Sequence, residues 1–286
     1  MSGVRGRRPF GRLVMPELPE VETIARNLRP VLVGKRILSA SLRWKRTLVQ
    51  PSSAAFKKRL VGQRIEEIGR RAKFLCLQLS RDTLLIHLRM SGGLAAVVGS
   101  YQPARHDRLI LELTEDTRLV FTDARKFGRV WLTADPSAVL ADLGPEPLSD
   151  DFTPQGLYTR LHQRHRQLKP LLLDQTFLAG LGNIYTDEAL HMAKLHPRLL
   201  SDSVTPDQAG SLWLAIREVL GEGIRRNGAS IDWVFRGGDF QNHFRVYQRT
   251  GEPCPVCGTR IERLVVGQRG THYCPNCQLL LPAEIR

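Results

Sequence analysis

Apolar and polar positions along this chain change their period twice, and the changes mark three kinds of structure. Val21, Ile24, Ala25 and Leu28 recur at helical spacing behind Pro19, Glu20 and Glu22. That predicts a helix over about Pro19–Leu32, with Pro in its first turn and acids at the positive end of its dipole. From Lys35 to about Thr133 the chain becomes a series of short apolar or alternating runs: Phe74–Leu79, Leu84–Leu88, Leu109–Leu113, Leu119–Thr122 and Val130–Leu132. Turn residues such as Ser80-Arg81-Asp82 and Thr114-Glu115-Asp116 separate them, which predicts an antiparallel sandwich or barrel. Residues 134–155 are rich in Pro, Gly and Asp and read as a linker. Helical spacing then returns over Leu157–Arg164, Lys169–Asp174, Tyr185–Met192 and Pro206–Arg226, and is lost again from about Arg236. The fold class is α+β, with strands first and helices after. The segments are an extension at 1–14, a β-rich domain at 15–135, a linker at 136–150, a helical domain at 151–235 and a C-terminal module at 236–286.

The length of 286 residues suits two domains with real cores. No apolar run approaches the roughly 20 residues of a membrane span. Residues 1–14 carry Arg5, Arg7, Arg8 and Arg12 without a continuous apolar stretch, so they make a poor secretory signal. The formal net charge of +14 changes the picture more. A globular chain this basic meets a polyanion, nucleic acid ahead of an anionic membrane, and its phosphate contacts are salt-sensitive.

Of five cysteines, Cys76 sits in an apolar strand and reads as a buried, inert thiol. The other four form Cys254-Pro-Val-Cys257 and Cys274-Pro-Asn-Cys277, two knuckles whose thiolates close a tetrahedral four-sulfur site for one structural Zn2+ per chain. Four protein ligands leave no open position for catalysis, so the metal's work is to fold a hairpin too small for a core of its own. Cysteine use of this kind fits a reducing cytoplasm. The hairpin presents Arg263, Gln268, Arg269 and Thr271; Arg269 suits a phosphate contact and equally a solvated turn.

Met15-Pro16-Glu17-Leu18-Pro19-Glu20 holds the most reactive candidate. Met before Pro is a context in which an initiator Met is readily removed. Translation from Met15 would leave Pro16 with a free secondary amine, which attacks electrophilic carbon as lysine amines do. Glu17 stands beside it as a proton donor. With Met1 as the start, the same nitrogen is an amide and this chemistry is closed.

These features together resemble the bacterial formamidopyrimidine-DNA glycosylases, which remove oxidised purines. The resemblance runs from Met15 to about Gln278. It is carried by Pro16-Glu17-Leu18-Pro19-Glu20, Arg70-Arg71-Ala72-Lys73, His87-Leu88-Arg89-Met90, Asp123-Ala124-Arg125-Lys126-Phe127-Gly128, Leu143–Leu148, Gly182-Asn183-Ile184-Tyr185 and Gln268–Thr271. It implies a two-layer β-sandwich domain, then a helix–two-turn–helix domain with a four-cysteine zinc finger, and an active site in the cleft between them.

The resemblance assigns roles residue by residue. Pro16 is the nucleophile and Glu17 the acid that opens the sugar ring; Lys73 is an active-site cation and Arg269 grips phosphate. Excision also needs the nucleotide flipped out and the gap filled by a wedge. Met90, Arg125 and Phe127 match the wedge residues, although Phe127 alone would also suit a core. Asn183, Lys169 and His106 match or flank DNA contacts; Asn183 would equally serve as a helix cap. The chain has Arg164-His165-Arg166 where the family often has a lysine-rich run. Residues Asp232–Arg245 correspond to a lesion-capping loop. The implied partner is double-stranded DNA containing oxidised bases, met by a monomer. Leu18 favours the purine branch over the endonuclease VIII relatives, which typically carry Gly there. A non-catalytic zinc DNA-binding protein remains the alternative if Pro16 is blocked.

Overall fold

The structure is a computed structural model and describes residues 15–230 and 237–280. The extension at 1–14 and the first part of the lesion-capping loop lie outside the described residues. The expected opening helix is α1 (Leu18–Leu32), whose Leu18, Val21, Ile24, Ala25, Leu28 and Leu32 are buried. Its two faces serve different cores. Leu18 packs with the helical domain, while Val21, Ile24 and Leu28 pack into the sandwich. This helix therefore lies at the join of the two domains, and the acids of its first turn are buried with it.

The sandwich is two sheets. One is built from β1 (Ile37–Leu42), β6 (Gly92–Val98), β7 (Asp107–Leu113) and β8 (Thr117–Asp123), in the order β1-β7-β8-β6. The other is built from β2 (Leu48–Gln50), β3 (Ile65–Arg71), β4 (Phe74–Leu79), β5 (Thr83–His87) and β9 (Arg129–Thr133), in the order β2-β9-β5-β4-β3. All neighbours are antiparallel except β2 and β9, which run parallel, so the expectation of a purely antiparallel sandwich needs that one correction. A helix the pattern did not reveal, α2 (Ser53–Leu60), buries Phe56 and Leu60 against the same core.

Beyond the short α3 (Ser137–Leu140), the helical domain comprises α4 (Pro154–His162), α5 (Leu168–Leu172), α6 (Asn183–Met192) and α7 (Pro206–Arg225) around a core that includes Leu157, Leu171, Tyr185, Leu212 and Ile216. α7 opens on a capping box, Thr205 with Gln208, and Pro206 in its first turn. The C-terminal hairpin, β10 (Glu262–Val266) and β11 (Arg269–Tyr273), has a core of only Val246, Cys254, Ile261 and Cys274.

The linker is tied to the strand that precedes Lys73. Arg70 and Arg71 donate to Glu146 at 2.7 and 3.0 Å, and the Ala72 N–H reaches the same carboxylate. Ala72 takes φ +53°, a left-handed turn uncommon for a residue with a Cβ. Glu146 thus holds the turn that throws Lys73 out of the sheet.

Candidate active site

The chain's N-terminal acids are buried against helix α6. Glu17 Oε2 accepts the N–H of Gly182 at 2.7 Å, and Oε1 accepts that of Ile184 at 3.0 Å. The helix start at Asn183, matched to a DNA contact, therefore already holds a carboxylate of the protein, as its unpaired N–H groups and dipole favour. A Cβ on Gly182 would come within 2.2 Å of the Glu17 carboxyl carbon, so only glycine fits there. Glu20 is fixed as firmly: Oε2 accepts from Glu17 N at 2.8 Å, and Oε1 from Tyr185 Oη at 2.7 Å and Ala229 N at 2.8 Å.

Burial decides the protonation of this group. It raises the Glu17 carboxyl to about 7, outweighing Lys73 and the backbone N–H groups, which favour the carboxylate; Glu20 adds to the rise. Lys73 is only 3% exposed, and burial lowers its ammonium from the usual lysine range while Glu17 opposes that shift. His87 is lowered to about 3 by burial and by Arg89 and Lys73, so its ring is neutral, with Nδ1 accepting the Arg89 N–H at 3.1 Å.

These groups face a cleft of about 510 Å³. Met15, Glu17, Lys73, Met90, Phe127, Asn183 and Arg269 line it, which brings most of the sequence-derived candidates to one place from the sandwich, the helices and the hairpin. Pro16 is buried and does not itself line the cleft; its sequence neighbours Met15 and Glu17 do. Arg89, Arg129, Leu173, Gln175 and Tyr247 line it too. Sequence reasoning missed these five; Arg89 stood inside a quoted motif, but the others carried no signal of their own. The cleft is thus ringed by the cations Lys73, Arg89, Arg129 and Arg269 around a single carboxyl, Glu17. That is an electrostatic funnel for a phosphodiester chain.

The wedge candidates sit on the rim. Phe127 is 44% exposed, with the Arg125 guanidinium 4.7 Å from its ring centroid. The loop beneath them is organised by buried Asp123, which accepts the N–H of Arg125 at 3.1 Å and of Gly128 at 2.7 Å and also the Ser91 hydroxyl. His106 is exposed outside the cleft, and its carbonyl accepts the Asp123 N–H at 2.8 Å.

Lys169 requires a correction. Its ammonium is fully buried, 2.5 Å from Asp187 Oδ1 and 3.0 Å from the Gly270 carbonyl, so it is not open to a DNA phosphate. Asn183 Nδ2 donates to that same carbonyl at 3.0 Å. Asp187 Oδ2 in turn accepts the His272 N–H at 2.9 Å, and Glu188 accepts the N–H groups of Arg245, Val246 and Tyr247. Lys169, Asn183 and Asp187 therefore lock the hairpin onto α5 and α6, which sets Arg269 at the cleft, while Glu188 fixes the stretch Arg245–Tyr247.

The ligand sulfurs of Cys254, Cys257, Cys274 and Cys277 all lie within 4.8 Å of one another. Tetrahedral Zn–S bonds of about 2.3 Å require sulfurs roughly 3.8 Å apart, so the set fits zinc. Cys254–Cys277 at 3.9 Å and Cys257–Cys274 at 3.4 Å bracket that spacing. His191 on α6 brings Nε2 to 3.3 Å from Cys254 Sγ, an outer contact of the kind that orients a ligand.

Comparison with known proteins decides the family. Residues 15–130 match the formamidopyrimidine-DNA glycosylase N-terminal domain, residues 143–234 the H2TH domain of the same enzymes, and residues 251–279 a zinc finger found in FPG and IleRS. The chain belongs to the formamidopyrimidine-DNA glycosylase family. The formamidopyrimidine-DNA glycosylase of Chloroflexus aurantiacus is 49% identical, the match covering 93% of this chain and 99% of that one. That of Enterococcus faecalis is 42% identical over 93% and 98%. A Lactococcus lactis Fpg bound to abasic-site DNA superposes with a TM-score of 0.87 at 36% identity, over 93% of this chain and all of the other. A MutM structure with DNA containing carbocyclic 8-oxo-G gives the same TM-score and identity.

Proposed function

We propose that this enzyme flips oxidised purines, 8-oxoguanine and formamidopyrimidines, out of duplex DNA into the cleft and excises them through Pro16. The observation that carries the reading is Glu17: a buried carboxyl raised to about 7, next in sequence to Pro16 and facing a cation-ringed cleft. The mature chain begins at Pro16, in keeping with a family match that begins at residue 15. The amine nitrogen bonds to C1′ of the deoxyribose as the bond to the base breaks; the base leaves with the electron pair and takes up the proton that the nitrogen gives up. Glu17 gives its proton to the ring oxygen, the C1′–O4′ bond opens, and an iminium joins C1′ to Pro16. The iminium acidifies the C2′ hydrogen. Loss of that proton expels the 3′ phosphate, and a second elimination expels the 5′ phosphate. The product is a one-nucleotide gap flanked by phosphates, and water frees Pro16. Lys73 and Arg269 hold the phosphates and polarise these steps.

Duplexes with 8-oxoguanine opposite cytosine and with an oxidised pyrimidine, followed by sizing of the cut ends, test this. Gapped product with phosphate at both ends, faster from the purine lesion, is expected. Preference for the pyrimidine lesion would assign the endonuclease VIII activity instead, and no base release from zinc-loaded protein beginning at Pro16 would leave only DNA binding. Among the described residues no helix is long and apolar enough to cross a membrane; the cytoplasm, with the enzyme acting as a monomer on the chromosome, is the setting this chemistry suits.

The raised carboxyl sets the pH profile. Glu17 acts in its protonated form, which is lost as pH rises through about 7. Single-turnover excision of 8-oxoguanine should therefore fall about tenfold per pH unit on the alkaline side of that value. Rates that stay flat to pH 9 would take the acid's role away from Glu17.

A further inference from the structure

The connection between β1 and β2 carries Arg43-Trp44-Lys45-Arg46, to which neither the family reading nor the cleft assigns a task. Like the wedge loop between β8 and β9, it crosses from one sheet to the other. The two crossings are bolted together. The N–H groups of Arg43 and Trp44 donate to the Arg108 carbonyl at 2.9 and 3.3 Å. The buried Arg108 side chain donates through Nε to the carbonyl of Asp123 at 2.7 Å, and Asp123 organises the wedge loop. Trp44 is therefore fixed to the loop's own foundation.

Its indole meets the loop's apex. Lys126 Nζ lies 4.1 Å from the Trp44 ring centroid, well inside cation–π range, and Arg46 approaches the same ring at 5.9 Å. Among the described residues no carboxylate pairs with Lys126, so the Trp44 ring is its partner. Lys126 also takes φ +64°, a left-handed conformation that a residue with a side chain adopts only when its surroundings hold it there. It stands between Arg125 and Phe127, the two wedge residues on this loop.

We propose that Trp44 is a positioning residue for the wedge: its ring captures the Lys126 ammonium and keeps Arg125 and Phe127 aimed at the DNA stack. This rests on the wedge reading of the loop. Trp44→Ala should slow the opening of a duplex that carries 2-aminopurine beside 8-oxoguanine, followed by fluorescence. Single-turnover excision should slow with it, both by about two- to fivefold, the range expected of an exposed cation–π contact. Borohydride trapping on a single-stranded abasic site, which needs no wedge, should not change, and the melting temperature should hold. Trp44→Phe, which keeps an aromatic face, should restore opening. Lys126→Gln should match Trp44→Ala, and the double variant should lose no more than either alone. Additive losses, an equal loss of trapping, a Trp44→Phe variant as slow as Trp44→Ala, or parent-level opening in Trp44→Ala would each overturn the proposal. Met90→Ala is the control for the underlying reading. If it slows opening while Trp44→Ala does not, only the role of Trp44 fails; if it too opens DNA normally, the wedge reading fails and this proposal with it.

Discussion

A chain that keeps even Met15 ahead of Pro16 will give no borohydride-trapped adduct with abasic-site DNA, whereas a chain beginning at Pro16 will be trapped in nearly full yield. The difference is all-or-none because it is chemical. An amide nitrogen has its lone pair delocalised into the carbonyl and cannot form an iminium; a terminal secondary amine can. Met15 lines the same cleft as Glu17 and Lys73, so a retained Met also occupies space the sugar needs. DNA affinity should be affected far less, since Arg269, Arg125 and Phe127 are untouched by the chain's start. Parallel preparations, with and without Met15, compared by intact mass, trapping yield and binding to a lesion duplex, make the check. Trapping by protein of verified mass that still carries Met15 would show that another amine does the work, and the buried Lys73 would be the first to examine.

How much of this was legible in the sequence follows the range of the interactions. Val21, Ile24, Ala25 and Leu28 announce α1 because a helix is built from neighbours at three and four residues. The four cysteines announce their site because each knuckle spans only four residues. β1 and β3 were hidden: the first has only Ile37 fully buried, and Ile65 and Ile68 in the second are spaced as a helix would space them. α2 shows only Phe56 and Leu60 to the core, too little for a periodic signal. The roles that sequence misjudged depend on distant partners. Lys169 looks like a phosphate ligand until Asp187 and Gly270, 18 and 101 residues away, enclose it. The helix start at Asn183 looks open to an anion until Glu17, reached across 165 residues, fills it. Proximity of Pro16, Glu17 and Lys73 to one another in space could be inferred only through the family's motifs, since residue type and local spacing say nothing about which surfaces meet.

Loss of zinc will cost this enzyme most of its DNA affinity while leaving the sandwich folded. The hairpin's own core is four residues, two of them zinc ligands, so apolar burial cannot hold it. Structural zinc contributes about 10–16 kcal/mol in isolated fingers at neutral pH, as much as the whole stability of an ordinary domain, about 5–15 kcal/mol. The sandwich, by contrast, has an extensive core that shares none of these residues. Without the metal the remaining anchors are the hydrogen bond of Asp187 to His272 and the shared grip of Lys169 and Asn183 on Gly270. Those bonds require β11 already to be in place, so they cannot replace the fold that presents it. Arg269 then leaves the cleft, and Lys169 and Asp187 lose the cover that made their burial tolerable. Cys274→Ser, or chelation of the parent protein, should abolish zinc content and weaken lesion-duplex binding by roughly two orders of magnitude or more, the upper end of what disturbing a metal site's supporting shell costs. A thermal melt should retain the sandwich transition and lose a smaller one. A Cys274→Ser protein that binds one zinc and grips DNA as the parent does would mean that three sulfurs suffice, with His191, already 3.3 Å from Cys254 Sγ, a group able to complete the set.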